Sequence, residues 1–190
     1  MIEEDLRCRH RPPVNPSTEV VPVAPSEAQA METETMSFRL AAYALCIEDG
    51  QVLLVRHVSP EGESNWTLPG GKVEHGEDPL DAVTRELTEE TGYRGSAERL
   101  LGVDSRVIPA SAARAGTEHQ NVGVFYRVRI TGGRLRPESN GETTEPTWIP
   151  SLDVERLRRS SLVDIGLALA RTLPATGHVA SVPVGGLIQH

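Results

Sequence analysis

The chain has little cysteine, few aromatic residues and no surplus of positive charge, and each shortage removes a class of protein. Its two cysteines, Cys8 and Cys46, make no disulfide framework, so stability has to come from an ordinary buried core. Lys and Arg number 19 against 27 Asp and Glu, a formal net charge of −8. That balance argues against partners that need a basic surface, namely nucleic-acid polymers and anionic membranes. An anionic ligand must instead be drawn in by bound cations or by local Arg and Lys. No apolar run is long enough to span a bilayer and no secretory leader is recognisable, so the chain reads as cytoplasmic. Aromatics make up 4% of the residues, which limits base-stacking side chains to Trp66, Tyr93, Phe125, Tyr126 and Trp148. Trp66 reads better as core than as a base platform. Internal repeats are absent, and 190 residues suit one domain with tails.

Residues 1–36 place Pro12, Pro13, Pro16, Pro22 and Pro25 among Ser, Thr, Glu and Ala without hydrophobic period, the composition of a disordered extension. Met31 or Met36 is read there as an alternative start. Cys8 and His10 are too few ligands to hold a specific ion. A domain over 37–173 follows. Phe38–Ile47 reads as a strand buried on at least one face, Asp49-Gly50 as a two-residue hairpin turn, and Gln51–Arg56 as the returning strand. Ala97–Ile108 reads as a strand with a bulge at Gly102, and Asn121–Ile130 is the clearest strand of all. On the latter, Arg127 and Arg129 share a face. They are either its solvated side or, if they face a cleft, phosphate or ribose ligands. Arg56 divides in the same way between a rim cation and a phosphate contact, and His119 is equally open. Ser151 reads as the cap of a short helix, and Ser160 or Ser161 as the cap of a second one running to about Leu173. Residues 174–190 read as a flexible tail.

The rest is organised around Trp66–Tyr93. Leu68-Pro69-Gly70-Gly71 ends an extended segment and turns the backbone. Asp78-Pro79 opens a helix that Gly92 closes. Leu80, Val83 and Leu87 fall on one side of that helix as its expected buried stripe. Glu86, Glu89 and Glu90 share an adjacent arc, because residues three and four apart are neighbours on a helix surface. Three carboxylates there repel one another, with Arg85 the cation that reaches Glu89 one turn on, and Glu77 adds a fourth acid. A Glu-rich helix face is most often mere solvated surface. Hard divalent cations make such crowding favourable. Mg²⁺ in particular takes a few carboxylates and leaves positions open for water and phosphate, with Mn²⁺ a substitute.

Gly71, five residues, Glu77, seven residues, then Arg85-Glu86-Leu87-Thr88-Glu89-Glu90-Thr91-Gly92-Tyr93 resembles the Nudix box of Nudix hydrolases, with every defining position filled. The likeness is strongest over residues 66–93 and extends over about 37–173. It implies the Nudix fold, an α+β or α/β/α sandwich with a mixed β-sheet, and a homodimer as one assembly. It also implies Mg²⁺-dependent cleavage of a phosphoanhydride in a nucleoside diphosphate linked to another group. Oxidised or ordinary nucleoside triphosphates, ADP-ribose and dinucleoside polyphosphates are all open as substrates. By the same resemblance Glu86, Glu89 and Glu90 hold metal with the Gly71 carbonyl, Arg85 orients the acids, and Glu77 lies in the outer part of the cluster. The base is Glu89 or Glu86, or Glu145 delivered from the loop before Trp148, with Glu142 second. The alternative is a catalytically silent, Nudix-like nucleotide sensor. An intact acid set speaks against it.

Overall fold

In a computed structural model the described residues are 36–59, 62–111, 113, 115–138 and 143–180. The extension expected over residues 1–36 therefore lies outside them, apart from Met36, as do Glu142 and residues 181–190. The elements are β1 (Ser37–Leu45), β2 (Ile47–Glu48), β3 (Gln51–Val58), β4 (Ser64–Thr67), β5 (Gly70–Lys72), α1 (Pro79–Thr91), β6 (Tyr93–Ile108), β7 (His119–Gly133), β8 (Thr143–Pro150) and α2 (Ser161–Thr172).

β1 alternates between two cores, as a strand covered on both faces must. Ala41, Tyr43 and Leu45 pack with Phe125, Leu68, Leu162, Ile165 and Leu169. Ala42 and Ala44 pack on the other side with Val83, Leu87 and Val128. The mixed sheet has the order β5-β1-β7-β6, with β1 parallel to β7 and the other pairs antiparallel. Helix α1 lies on one face and α2 on the other, the expected layered α+β arrangement. A second sheet holds β2, β3 and β4, with β8 on β3. The Asp49-Gly50 turn forms as read, with φ of 48° and 75°. Its hairpin nevertheless spans only Ile47↔Val52 and Glu48↔Gln51. β1 does not pair with β3, because it finds a parallel partner in β7 along its whole length from Ser37 to Leu45.

Four local expectations are refined. Leu80 is 46% exposed, and the buried arc of α1 is centred further round on Val83, Leu87 and Glu90. The helix expected after Ser151 is one 3-10 turn at Val154–Arg156. Arg159 takes the carbonyls of Val154, Glu155 and Leu157, so that segment has no run of helical bonds to extend. Ser160, not Ser161, caps α2, accepting from Leu162 N–H. Finally, part of the expected tail is docked: Val103 N–H donates to Gly177 O at 2.9 Å. The docking point is the bulge between Leu100 and Gly102, where a Cβ on Gly102 would fall 2.1 Å from Gly177 O. Gly102→Ala is expected to lower stability by about 1–3 kcal/mol. It should also speed hydrogen exchange of residues 174–180, read by mass spectrometry against wild type. No helix among the described residues is long and apolar enough to cross a membrane.

Candidate active site

The site forms where α1 crosses the short edge strand β5. Helix α1 starts and stops as its sequence dictates. Asp78 Oδ1 accepts from Leu80 N–H at 2.8 Å, and Gly92 closes the last turn at φ 73°. β5 pairs with β1 through Ala42↔Gly71 and Tyr43↔Gly70. Two glycines in a row let the helix acids sit directly on strand backbone. A Cβ on Gly71 would fall within 2.5–2.7 Å of the Glu86 carboxylate. Glu90, 7% exposed, accepts from Gly70 N–H at 2.8 Å. Burial is the main reason both carboxyls titrate high, and Glu90 is pushed up to about 8.

Arg85 is the hub of the cluster. Its Nε and Nη2 grip Glu77 at 2.8 and 2.9 Å, its Nη1 donates to Glu86 and Glu89 at 2.8 and 3.0 Å, and Nη2 also reaches Lys72 O. A planar fork of five donors satisfies this set; an ammonium group could not. The pairing holds Glu77 down at about 2, the Arg85 guanidinium being the first cause and Glu74 N–H the second. Thus Glu77, Arg85, Glu86 and Glu89 are brought together as read, with Glu90 and Gly71 beside them.

The other sequence candidates divide into two groups. Arg56 and Glu145, picked independently, form an ion pair at 2.9 Å, with Ser64 Oγ as a second Arg56 acceptor. They meet because β8 carries a bulge, where Glu145 and Pro146 oppose Val55 alone and Glu145 adopts φ 50°. Arg127 and Arg129 are engaged elsewhere. Arg127 donates to Ile47 O, and Arg129 pairs with Glu98 at 2.6 Å. His119 meets Ser37 Oγ at 2.8 Å. Of the aromatics, Trp66 packs on the first core as expected, Phe125 is fully buried, and Trp148 donates to the Tyr93 hydroxyl.

Three residues near the site, Glu138, Thr143 and Arg39, were not singled out as functional from sequence. Glu138 accepts from the Thr143 hydroxyl at 2.6 Å, and both act on the Glu90 carboxyl, Glu138 by charge and Thr143 by hydrogen bonding. Arg39 is close enough to lower Glu86. Glu138 stood in the same acidic loop as Glu145, and only the chain's return past the end of α1 distinguishes them. Arg39 carried no local signal.

Residues 37–164 match the NUDIX domain. This chain belongs to the Nudix family. The chain is 31% identical over 125 residues to a MutT-like protein of Streptomyces ambofaciens, covering 66% of this chain and 70% of that one. It is 32% identical to the 8-oxo-dGDP phosphatase NUDT18 of Homo sapiens, over 54% of this chain and 29% of the human protein, so it spans under a third of that relative. Among solved structures, a NUDIX hydrolase from Nitrosomonas europaea superimposes with a TM-score of 0.58 at 19% identity, over 70% of this chain and 88% of that one. That likeness bears on the fold alone.

The Nudix residues fit a hard divalent cation. All the donors are oxygen, Glu90 is buried and Glu86 half-buried with both carboxyls titrating high, and Gly71 leaves its backbone bare beside Glu86. Among the described residues no three His, Cys, Asp or Glu side chains already stand at metal-holding spacing. Arg85 draws Glu86 and Glu89 to itself, while Glu90 is tied to Gly70.

Proposed function

We propose that this Nudix protein hydrolyses a phosphoanhydride bond in a nucleoside diphosphate linked to a further group, using Mg²⁺ with Mn²⁺ as substitute. The observation that carries this reading is the pair Glu86 and Glu90. Glu90 is buried and Glu86 half-buried, and of the two Arg85 pairs only with Glu86, so ionising both is unfavourable unless a further cation joins them. Glu86, Glu89, Glu90 and the Gly71 carbonyl would hold the ion. Bound there, it would neutralise phosphate charge and lower the pKa of a coordinated water. Arg85 keeps Glu86 and Glu89 aimed and takes up their mutual repulsion, with Glu77 as its anchor.

Proton removal from the attacking water falls to Glu89 or Glu86 in the helix, or to Glu145 on its bulge. Glu145 is held in an uncommon backbone conformation for a non-glycine residue, a kind of strain that clusters at functional sites. Its partner Arg56 is 41% exposed, and such surface pairs contribute at most about 1 kcal/mol. Arg56 is therefore free to exchange the carboxylate for a substrate phosphate. Arg127 and Arg129 would need to leave Ile47 and Glu98 to do the same. Substrates of the oxidised or ordinary nucleoside triphosphate, ADP-ribose and dinucleoside polyphosphate types fit this chemistry, and the human relative's name supports the oxidised guanine nucleotides among them. No observation favours a silent sensor, since none of the acids is missing.

The test is a phosphate- and nucleotide-release panel over those compounds with Mg²⁺, Mn²⁺ or EDTA. Turnover of one subset, abolished by EDTA, is expected. Measurable Mg²⁺ binding with no turnover of any compound would transfer the weight to a sensor.

A further inference from the structure

One face of the mixed sheet is apolar and only half covered. Phe38 on β1, Gln120 on β7 and Val107 on β6 are register partners, so they form one row across three strands. The next rows of the same face are Leu40, Val122 and Ser105, then Ala42, Val124 and Val103. Helix α1 covers the far half of this face, where Val83 and Leu87 pack on Ala42 and Ala44. Toward Ser37 the helix no longer reaches. Phe38 is 66% and Val107 53% exposed, Val103 is exposed beside them, and Leu40, Val122 and Val124 are half-buried. Leu100, also exposed, extends the patch along β6. Charged residues make up 24% of the chain, yet these three rows hold none. The charged side chains of the same strand ends, Arg39, Asp104 and Arg106, project to the opposite face, where Arg106 pairs with Asp104 and reaches Ser161 at the start of α2. A solvated sheet face carries its polar residues outward, and here they are turned inward.

Three strands about 4.8 Å apart, each about six residues long at ~3.3 Å per residue, outline roughly 300 Å² before side-chain relief. Apolar patches of about 300–600 Å² are the largest that monomers ordinarily show, and they often mark interfaces. With a polar rim, such a patch supplies about 600 Å² per partner, the low end of specific interfaces. A second copy of this chain is the occupant that fits. Sheets pack face to face about 10 Å apart through two apolar inner faces, and a two-fold axis provides the second face from the first. Two copies of net charge −8 repel one another, so they approach best where neither presents a charge. A strongly charged partner would find nothing here to pair with. Joining edge to edge is obstructed instead, because Gly177 O already takes Val103 N–H on the outer edge of β6.

We propose that the face carrying Phe38, Val107 and Val103 is a homodimer interface, in which the mixed sheets of two copies pack face to face beside α1. The assembly stands apart from the hydrolase reading, and the failure of either leaves the other untouched.

The test is sedimentation velocity of the full chain over a range of concentrations reaching about 100 μM, where an interface with a micromolar or tighter Kd is populated. Wild type should convert from one chain mass to two as concentration rises. Phe38→Glu and Val107→Lys each place an unpaired charge in the contact and should weaken association at least about a hundredfold. Both side chains are already exposed in a single copy, so the variants should melt with wild type where all are monomeric. Leu152→Glu is the control. That leucine is exposed beside the Asp49-Gly50 turn, at the other end of β1, and its replacement should leave association unchanged. Added salt should leave the dimer intact or tighten it, since it screens the repulsion between two acidic chains. A chain that stays monomeric throughout would overturn the proposal and leave the face to a different occupant. Dimers that persist in both Phe38→Glu and Val107→Lys, or that Leu152→Glu disrupts as strongly, would overturn it by placing the contact elsewhere.

Discussion

Glu90→Gln should lower Mg²⁺-dependent turnover at least about a hundredfold, the usual loss when one preorganised electrostatic group at a reacting centre is removed. Glu89→Gln should do the same, and rates within about threefold of wild type in both would remove these residues from the metal site. Glu90→Gln carries a second signature, in stability. The Glu90 carboxyl titrates at about 8 in the folded chain against an ordinary 4.5, burial being the largest cause. Its folded pKa is the higher one, so the folded state binds more protons than the unfolded state between those values. Metal-free wild type should therefore lose stability as pH climbs from about 4.5 to 8, by an amount on the order of a few kcal/mol. Glutamine keeps the acceptor for Gly70 N–H but does not ionise, so the variant should lack this slope. At pH 8 in EDTA it should melt above wild type. Mg²⁺ should raise the wild-type melting temperature more at pH 8 than at pH 6, because binding must displace the proton, and should leave the variant unmoved. A metal-free variant that melts below wild type at pH 8 would show that the carboxyl is not held at a cost.

Arg85→Ala should be the most damaging change to the cluster as a whole. It removes the bidentate hold on Glu77 and the shared donor of Glu86 and Glu89 together. Turnover should fall about 10- to 100-fold, the range for a group that orients metal ligands without touching the reacting atoms. Stability at neutral pH should drop by about 2 kcal/mol, as expected when charge-assisted hydrogen bonds are lost and like charges are left facing one another. Lysine should not rescue, since a single ammonium cannot reproduce the fork. The acid side of the stability curve provides the control. Glu77 titrates at about 2 when paired, so its contribution is present above about 4.5 and lost as pH falls toward 2. Urea midpoints across pH 2–6 should show that loss in wild type and a flatter curve in Arg85→Ala. An equal acid slope in both would mean that Arg85 does not hold Glu77 in solution.

The sequence by itself determined the features whose causes lie within one turn or one hairpin. Asp78 and Gly92 set the ends of α1, Asp49-Gly50 set its turn, and Gly102 set its bulge, because caps and turns are satisfied by neighbours along the chain. The spacing from Gly71 to Tyr93 likewise determined which carboxylates share an arc of the helix, since helical geometry fixes that from residue numbers alone. Family membership followed from the same stretch. What covers a face, and what a long side chain grips, was decided only in three dimensions. Periodicity placed Arg127 and Arg129 together on β7 but could not reveal that Ile47 O and Glu98 would engage them. It gave Leu80 to the buried stripe, although the sheet meets α1 further round. β1 left its hairpin partner for β7, a pairing between segments far apart in sequence that no local preference encodes. Arg56 met Glu145 only because β3 and β8 are neighbours across a bulge. The burial of Glu90 against Gly70 also arises from strand order. The reason is common to all of these. A side chain's direction is set locally, but its desolvation and its partners are set by whichever element the fold brings opposite it.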